Sequence, residues 1–149
     1  MTRTAERDAL YREVVRQVQA RNWREADARC RELNAADPAF APGWLLASVI
    51  AQHLDEHERA LQLAERAVAV APNDPSVLLR QAQCLDGLRR RPEALRAAAA
   101  AEQASGGNPR ALAAIGLFYS AADEHFLALA TYDRACRQAP DNTQLLFSR

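Results

Sequence analysis

Small and apolar residues return along this chain with a period of thirty-four positions. The twentieth place of each period is alanine: Ala26, Ala60, Ala94 and Ala128. The thirty-second place is a helix breaker: Pro38, Pro72, Gly106 and Pro140. The period divides the chain into four repeats, at 7–40, 41–74, 75–108 and 109–142.

Inside a repeat the apolar positions follow helical spacing. In the second repeat this spacing places Trp44, Ala47, Ser48 and Ala51 on one face of a helix. The next helix has a similar face: Ala60, Ala64 and Ala67. Small residues let two helices approach closely, and we expect a large residue such as Trp44 or Tyr119 to fill the space beside them. Each repeat is therefore predicted to be a pair of antiparallel helices that buries its apolar face by stacking on its neighbours.

This pattern resembles the tetratricopeptide repeat, in which thirty-four residues form a helix, a turn and a second antiparallel helix. The fourth repeat fits best, through Gly116, Tyr119, Ala128, Tyr132, Ala135 and Pro140. The first repeat fits least well, with Ala26, Leu33 and Pro38. The resemblance implies an all-α fold, a right-handed α-solenoid of antiparallel helix pairs, as a single domain over residues 1–149.

Two short segments lie outside the four predicted repeats. Residues 1–6 precede them, and residues 143–149 are expected to form a partial capping helix or the start of a fifth repeat. In the capping interpretation, Leu145, Leu146 and Phe147 cover part of the exposed end of the array.

Composition narrows the class of partner. The formal net charge is +0, which gives no overall field favouring nucleic acid or an anionic membrane. No apolar run is long enough to cross a bilayer, and the charged start of the chain does not resemble a signal peptide. All nineteen basic residues are arginine, which is typical of a GC-rich bacterial genome. The arginines at 89–91 are interpreted as a solvated corner, with contact to an anionic partner as the alternative.

Cysteine and histidine do not indicate a metal or redox site. Cys30, Cys84 and Cys136 lie in different repeats and are expected to be reduced, buried residues of a cytosolic protein. His53 and His57 are expected to be separated by a turn, so we predict no shared metal site. No nucleophile with a base, phosphate-binding loop or carboxylate pair stands out, so we expect no catalysis and no cofactor.

The resemblance also implies where a partner binds, because the first helices of tetratricopeptide repeats line a concave groove. The predicted groove residues are Tyr11, Arg12, Val15, Leu45, Leu46, Val49, Gln52, Leu79, Arg80, Gln83, Arg110 and Leu117. One branch of the family binds a terminal carboxylate with lysine at the fifth place and asparagine at the ninth. Those places hold Tyr11 with Val15, Leu45 with Val49, Leu79 with Gln83, and Ala113 with Leu117, so that clamp is absent. The alternative for these apolar residues is that superhelical curvature buries some of them in the core.

The sequence thus predicts a non-catalytic scaffold or adaptor in the cytoplasm of a bacterium. It would bind a peptide segment or partner protein through apolar anchors, with an arginine pairing an acidic side chain. One alternative is the N-terminal module of a longer bacterial enzyme, sulfotransferase-like or glycosyltransferase-like, as such arrays precede catalytic domains. The other alternative is self-association.

Overall fold

The computed structural model describes residues 2–138, and every regular element within that range is an α-helix. The helices are α1 (Arg3–Gln19), α2 (Trp23–Ala36), α3 (Ala41–His53), α4 (His57–Val70), α5 (Pro75–Gly87), α6 (Arg91–Ala104), α7 (Pro109–Ala121) and α8 (His125–Gln138). The breaker expected at Pro140 and the capping segment 143–149 lie outside the described residues.

The helix boundaries keep the thirty-four-residue register. The first helix of each pair ends at the same place: Gln19, His53, Gly87 and Ala121. The second helix begins at the same place: Trp23, His57, Arg91 and His125. The prediction of one helix pair per repeat is therefore confirmed.

A turn of constant geometry joins the two helices of each pair. Its corner residue has a left-handed backbone with φ of 61° or 62° each time: Arg21, Asp55, Arg89 and Asp123. In the second repeat, the Asp55 amide donates to the Gln52 carbonyl at 3.1 Å and the Glu56 amide donates to the Ala51 carbonyl at 2.9 Å. The same two bonds recur in the other three turns. This is the Schellman arrangement, which satisfies carbonyls at the end of a helix.

The first helix is longer than predicted. Helix α1 begins at Arg3, although residues 1–6 were expected to precede the repeats. The side chain of Thr2 caps α1 by accepting a hydrogen bond from the Ala5 amide at 3.1 Å, and Glu6 lies in the first turn, where an acidic group is favourable. These residues are of types that favour a helix N-terminus, but the first repeat boundary placed them outside the predicted helix.

The chain divides into two compact units, Met1–Pro72 and Asn73–Arg149, and each is described by itself. In unit 1, α1 packs on α2 and on α3, α2 packs on α3, and α3 packs on α4. The core of unit 1 contains Val14, Ala26, Cys30, Leu33, Ala47 and Ile50. The alanines expected at helix crossings, Ala47, Ala51, Ala60, Ala64 and Ala67, are all buried. Small side chains thus allow the close helix approach that the sequence predicted.

Two residues of the second repeat show how close that approach is. A Cβ atom at Gly43 would collide with Oδ1 of Asn34, so α2 and α3 meet there without room for a side chain. Trp44 was expected to fill the space beside the alanines, but it is only half-buried. Its indole nitrogen donates to the Pro38 carbonyl at 2.8 Å, and the Arg66 guanidinium lies 5.2 Å from its ring centre. The expectation for Trp44 was wrong because these polar contacts hold the ring at the protein surface.

Unit 2 repeats the arrangement with different side chains. Helix α5 packs on α6 and α7, and α7 packs on α6 and α8. A Cβ atom at Gly116 would lie 3.0 Å from the ring of Tyr132, so α7 and α8 cross closely at that glycine. Tyr119 is 2% exposed, which confirms its expected place in the interior.

One acidic residue links the second helices within each unit. In unit 1, Asp27 of α2 forms ion pairs with Arg31 of the same helix and with Arg59 of α4, each at 3.0 Å. In unit 2, Glu102 of α6 forms an ion pair with Arg134 of α8 at 2.7 Å. These pairs fix neighbouring repeats side by side.

Candidate partner-binding faces

The predicted groove residues of unit 1 lie on α1 and α3, two helices in contact with each other. We call this set the α1/α3 face: Tyr11, Arg12, Val15, Leu45, Leu46, Val49 and Gln52. None of the seven is fully buried. All seven therefore keep some exposed surface, and the alternative that the core takes up some of them concerns the members that also contact the buried cluster.

Two members of the α1/α3 face also support the core. Tyr11 and Leu46 pack against the buried cluster of unit 1. The Tyr11 ring meets Phe40 edge-on, with centres 5.4 Å apart, and the Arg7 guanidinium lies 4.4 Å from the centre of the Phe40 ring. These contacts hold Tyr11 in a fixed position at the border between core and surface.

The predicted groove residues of unit 2 lie on α5 and α7. We call this set the α5/α7 face: Leu79, Arg80, Gln83, Arg110 and Leu117. All five are at least partly exposed, and Leu117 is 63% exposed. The Arg80 guanidinium donates to Oε1 of Gln83 at 3.3 Å, which orients both side chains along α5.

Two of the first helices, α3 and α7, carry almost no charge, whereas the first helix α1 is charged along its length. Helix α3 contains no Asp, Glu, Lys or Arg, and α7 contains only Arg110. By contrast, α2 carries six such residues and their ion pairs: Arg24, Glu25, Asp27, Arg29, Arg31 and Glu32. The faces of α3 and α7 that stay outside the core therefore leave apolar surface in water, which costs free energy unless a partner covers it.

A cavity of about 470 Å³ lies in unit 2, where the starts of α5 and α7 approach the end of α6. It brings Arg110, a predicted groove residue, together with Ser76 and Ala114. Ser105 and Asn108 also line it, although no pattern in the sequence selected them. The Ser105 hydroxyl donates to the Glu102 carbonyl at 2.6 Å, and the Asn108 side chain caps α7. Both are thus fixed as part of the cavity wall.

A second cavity, of about 360 Å³, lies among α2, α3 and α4 and was not predicted. Its wall includes Asp27, Cys30, Asn34, Trp44 and Arg59. Burial, and to a smaller extent the nearby Asp27 charge, raise the pKa of the Cys30 thiol to about 12. The Cys30 thiol donates to the Gly43 carbonyl at 3.2 Å. These groups mainly hold α2 against α3. The repeat pattern could have indicated this role, because Cys30 occupies the same place in its repeat as Ala64 and Ala98, which are both buried.

The remaining candidate residues occupy structural positions. His53 ends α3 and His57 begins α4, so the predicted turn between them is confirmed. His53 instead stacks on Trp23, with ring centres 3.9 Å apart. Cys30 and Cys84 are buried as expected, but Cys136 is only half-buried and packs against the buried pair Leu112 and Ala135. Within residues 2–138, no cluster of three or more His, Cys, Asp or Glu side chains is placed to hold a metal ion.

The three arginines at 89–91 lie where a solvated corner was expected. Arg89 is the left-handed corner residue between α5 and α6, and all three arginines are exposed. The Arg90 guanidinium pairs with Glu93 at 2.8 Å, and Arg91 lies 3.7 Å from Asp86. Local ion pairs therefore account for two of the three charges.

Exposed apolar side chains on α8 were missed by the sequence analysis. Phe126 is 92% exposed, Leu127 40% and Leu129 53%. Their places in the repeat are filled by charged residues in α2, including Arg24, Glu25 and Asp27. Aligning the repeats place by place would have revealed this change from charged to apolar.

Comparison with known proteins supports the helix pairs. No family model matches the chain. Tetratricopeptide repeat protein 7A from Homo sapiens is 32% identical over 93 residues, which cover 62% of this chain and 11% of the human protein. The crystal structure of TTC0263, a thermophilic tetratricopeptide-repeat protein from Thermus thermophilus, superposes with a TM-score of 0.79. Its sequence is 22% identical, and the match covers 95% of this chain and 78% of that one. The protein has the tetratricopeptide-repeat fold.

A second tetratricopeptide-repeat neighbour was solved together with a binding segment. PcrH in complex with the chaperone binding region of PopD superposes with a TM-score of 0.71 at 22% identity. The match covers 87% of this chain and 95% of PcrH. Across residues 2–138, no helix is both long and apolar enough to span a membrane.

Proposed function

We propose that this chain is a non-catalytic protein-interaction module that binds a segment of a partner protein on its first helices. The segment carries apolar side chains, which the α1/α3 face covers, and an acidic side chain, which pairs with an arginine. Arg12 on α1 and Arg110 on α7 are exposed, and neither forms an ion pair within the described residues. Both are therefore available to a carboxylate.

The observation that carries this proposal is the near absence of charge on α3 and α7. Leu45, Leu46 and Val49 remain partly exposed on a helix with no charged residue. Surface helices of monomeric proteins normally face water with charged side chains. Leaving these apolar groups in water is unfavourable, and a partner that covers them removes that cost.

The solved neighbours support the same kind of function. The PcrH structure contains the chaperone binding region of PopD, so one protein of this fold accommodates a segment of another protein. The three cysteines, none of which forms a disulfide in the described part, favour a reducing compartment such as the cytoplasm.

The proposal is tested by selecting peptides from a phage-displayed random library and measuring their affinity by fluorescence polarisation. Val49→Asp places a charge in the apolar α1/α3 face, and Leu117→Asp does so in the α5/α7 face. Gln62→Asp on the exposed side of α4 is the matched control. We expect Val49→Asp or Leu117→Asp to weaken a selected peptide about tenfold or more, because a buried carboxylate has no partner there. Circular dichroism should stay helical in all three variants.

Three outcomes would change the interpretation. Equal weakening by Gln62→Asp would move the binding site away from the first helices. A mass that rises with protein concentration in light scattering, and falls in Val49→Asp, would indicate that the face binds a second copy. Selected peptides without acidic residues, unaffected by Arg12→Ala and Arg110→Ala, would remove the arginines from the site.

A further inference from the structure

The cavity of about 360 Å³ among α2, α3 and α4 lies apart from the proposed binding faces. We call it the α2/α3/α4 cavity. All of its wall residues belong to unit 1, and none of them is a member of the α1/α3 face. Cavities that hold small molecules in proteins span roughly 300–1,000 Å³ and combine an apolar wall with a few polar groups. The size of this cavity therefore suits a small ligand.

One part of the cavity wall is apolar. It contains Ala47, Leu63 and Trp44. The Trp44 indole nitrogen donates to the Pro38 carbonyl at 2.8 Å, and the Arg66 guanidinium lies 5.2 Å from the ring centre. These contacts fix the orientation of the indole, so a flat apolar group in the cavity can pack against it at little cost in side-chain entropy.

The charged part of the wall carries an excess of positive charge. Among the described residues, it contains Arg31 and Arg59 against Asp27. Asp27 pairs with both arginines, and Arg59 also pairs with Glu56 at 2.7 Å. Arg31 uses only its Nε atom, which donates to Asp27 at 3.0 Å, so its two terminal nitrogens have no partner within residues 2–138. Both nitrogens are therefore available to a carboxylate.

A buried amide beside these charges makes few hydrogen bonds of its own. Asn34 is 7% exposed, and its Oδ1 atom has no hydrogen-bond partner in the described part of the chain. Its Nδ2 atom makes only a long contact of 3.8 Å with Sγ of Cys30. At the same place of the third repeat, Glu102 binds Arg134 and the Thr131 hydroxyl. A polar side chain buried without strong partners is unfavourable, and a ligand that hydrogen-bonds to it removes part of that cost.

We propose that the α2/α3/α4 cavity binds a small carboxylate that carries an aromatic ring. The ring packs against Trp44 and Leu63, and the carboxylate accepts hydrogen bonds from the Arg31 guanidinium and from Nδ2 of Asn34. An anion is favoured over a cation because two arginines stand against one aspartate among the described wall residues. The cavity shares no residue with the α1/α3 or α5/α7 face, so failure of this proposal would leave the proposed function intact.

The probe is hydrocinnamate, titrated into the full chain labelled with heavy nitrogen for NMR. The indole N–H resonance of Trp44 reports on the cavity wall, and a Trp23→Phe chain identifies it as the indole signal that remains. We expect this resonance to shift saturably, whereas the Trp23 resonance should stay in place because that ring stacks on His53 outside the cavity. Hydrocinnamide, the neutral analogue of the same shape, should bind about tenfold more weakly, because it loses the charge-assisted hydrogen bonds to Arg31.

Three variants separate recognition of the carboxylate from damage to the cavity. Arg31→Gln should weaken hydrocinnamate about tenfold and leave the affinity for hydrocinnamide unchanged. Asn34→Val, which introduces the residue found at this place in the second repeat, should also weaken hydrocinnamate. Arg29→Gln is the matched control, because Arg29 lies on the same helix but outside the cavity wall, and it should bind both ligands as the native chain does.

Three results would overturn the proposal. The first is the absence of a saturable shift of the Trp44 resonance at millimolar hydrocinnamate. The second is equal affinity for hydrocinnamate and hydrocinnamide, since recognition would then not involve the charge. The third is equal weakening of hydrocinnamate by Arg31→Gln and Arg29→Gln, which would mean that the arginine in the cavity wall has no special role.

Discussion

Each unit links its second helices through one acidic residue, but the two residues work in different surroundings. Asp27 in unit 1 binds two arginines whose side chains reach solvent, Arg31 at 63% and Arg59 at 26% exposure. Glu102 in unit 2 binds Arg134 and also the hydroxyl of Tyr119, a residue that is 2% exposed. Burial first, and the hydrogen bond to Glu102 second, raise the pKa of Tyr119.

The difference shows that the contribution of an acidic residue to stability depends on which buried groups it also contacts. A half-exposed pair contributes less than about 1 kcal/mol, because water solvates both partners once they separate. A buried hydroxyl that loses its partner costs about 1–3 kcal/mol, because no water replaces the bond. We expect Glu102 to matter more for stability than Asp27.

Paired alanine substitutions give the largest contrast. Glu102→Ala should destabilise unit 2 by about 2 kcal/mol, since Tyr119 loses its hydrogen-bond partner and Arg134 loses its ion pair. Asp27→Ala should cost unit 1 less than about 1 kcal/mol. The measurement is urea unfolding, in which tryptophan fluorescence reports on unit 1 alone, because both tryptophans, Trp23 and Trp44, lie there. Circular dichroism reports on both units.

Gln103→Ala, next to Glu102 and exposed, is the control for helix propensity. A Glu102→Ala chain as stable as the control would mean that the Tyr119 hydroxyl finds another acceptor. In that case adding Tyr119→Phe should cause a further loss, whereas no further loss is expected if Glu102 is the acceptor of the Tyr119 hydroxyl.

The next largest difference between the stabilities of the two units should appear when the pH is raised. The Cys30 thiol has a pKa raised to about 12 in unit 1, from an ordinary value of 9.0. The unfolded chain ionises first, so the contribution of the neutral thiol is complete below pH 9 and is lost as pH rises from there towards 12. Near pH 10.5 the loss should reach about 2 kcal/mol in the fluorescence-detected transition. Cys30→Ala should remove this part of the pH dependence, and an unchanged slope would assign it to another group.

Substitutions at the turn corners should have the smallest effect on stability, and they compare the two units at equivalent positions. Arg89 in unit 2 and Asp55 in unit 1 both have left-handed backbones, which glycine adopts without strain. Arg89→Gly should stabilise by about 1 kcal/mol, and Asp55→Gly by less, because aspartate tolerates this conformation better than arginine. Thermal unfolding by circular dichroism ranks the two variants. Destabilisation by both would show that side-chain contacts at the corner outweigh the backbone strain.

The helix register was predictable from the sequence because few kinds of residue fit a close helix crossing. Ala26, Ala60, Ala94 and Ala128 are all buried, and their spacing alone located the four pairs. The burial of Tyr119 followed from the same reasoning. The half-buried state of Trp44 did not, since its hydrogen bond to Pro38 and its contact with Arg66 join groups that no periodicity relates.

The sequence predicted which helices carry the candidate faces, but it predicted the contacts of their individual residues less well. The sequence placed Val49 and Leu117 on first helices, and both are accessible. It left open which of the apolar residues also support the core, and the structure shows that Tyr11 and Leu46 do. It also did not reveal Ser105 and Asn108 in the cavity beside Arg110, because that wall forms only where three helices meet.

The left-handed corner between paired helices has a consequence for how such chains change over evolutionary time. Main-chain groups alone close each of the four corners, and the corner residue is arginine twice and aspartate twice. Selection for the conformation of the turn therefore places little constraint on the residue type at the corner. Substitutions can accumulate at the corner residue while the angle between the two helices of the pair stays constant. At this place the repeats differ in residue type and still share one backbone geometry.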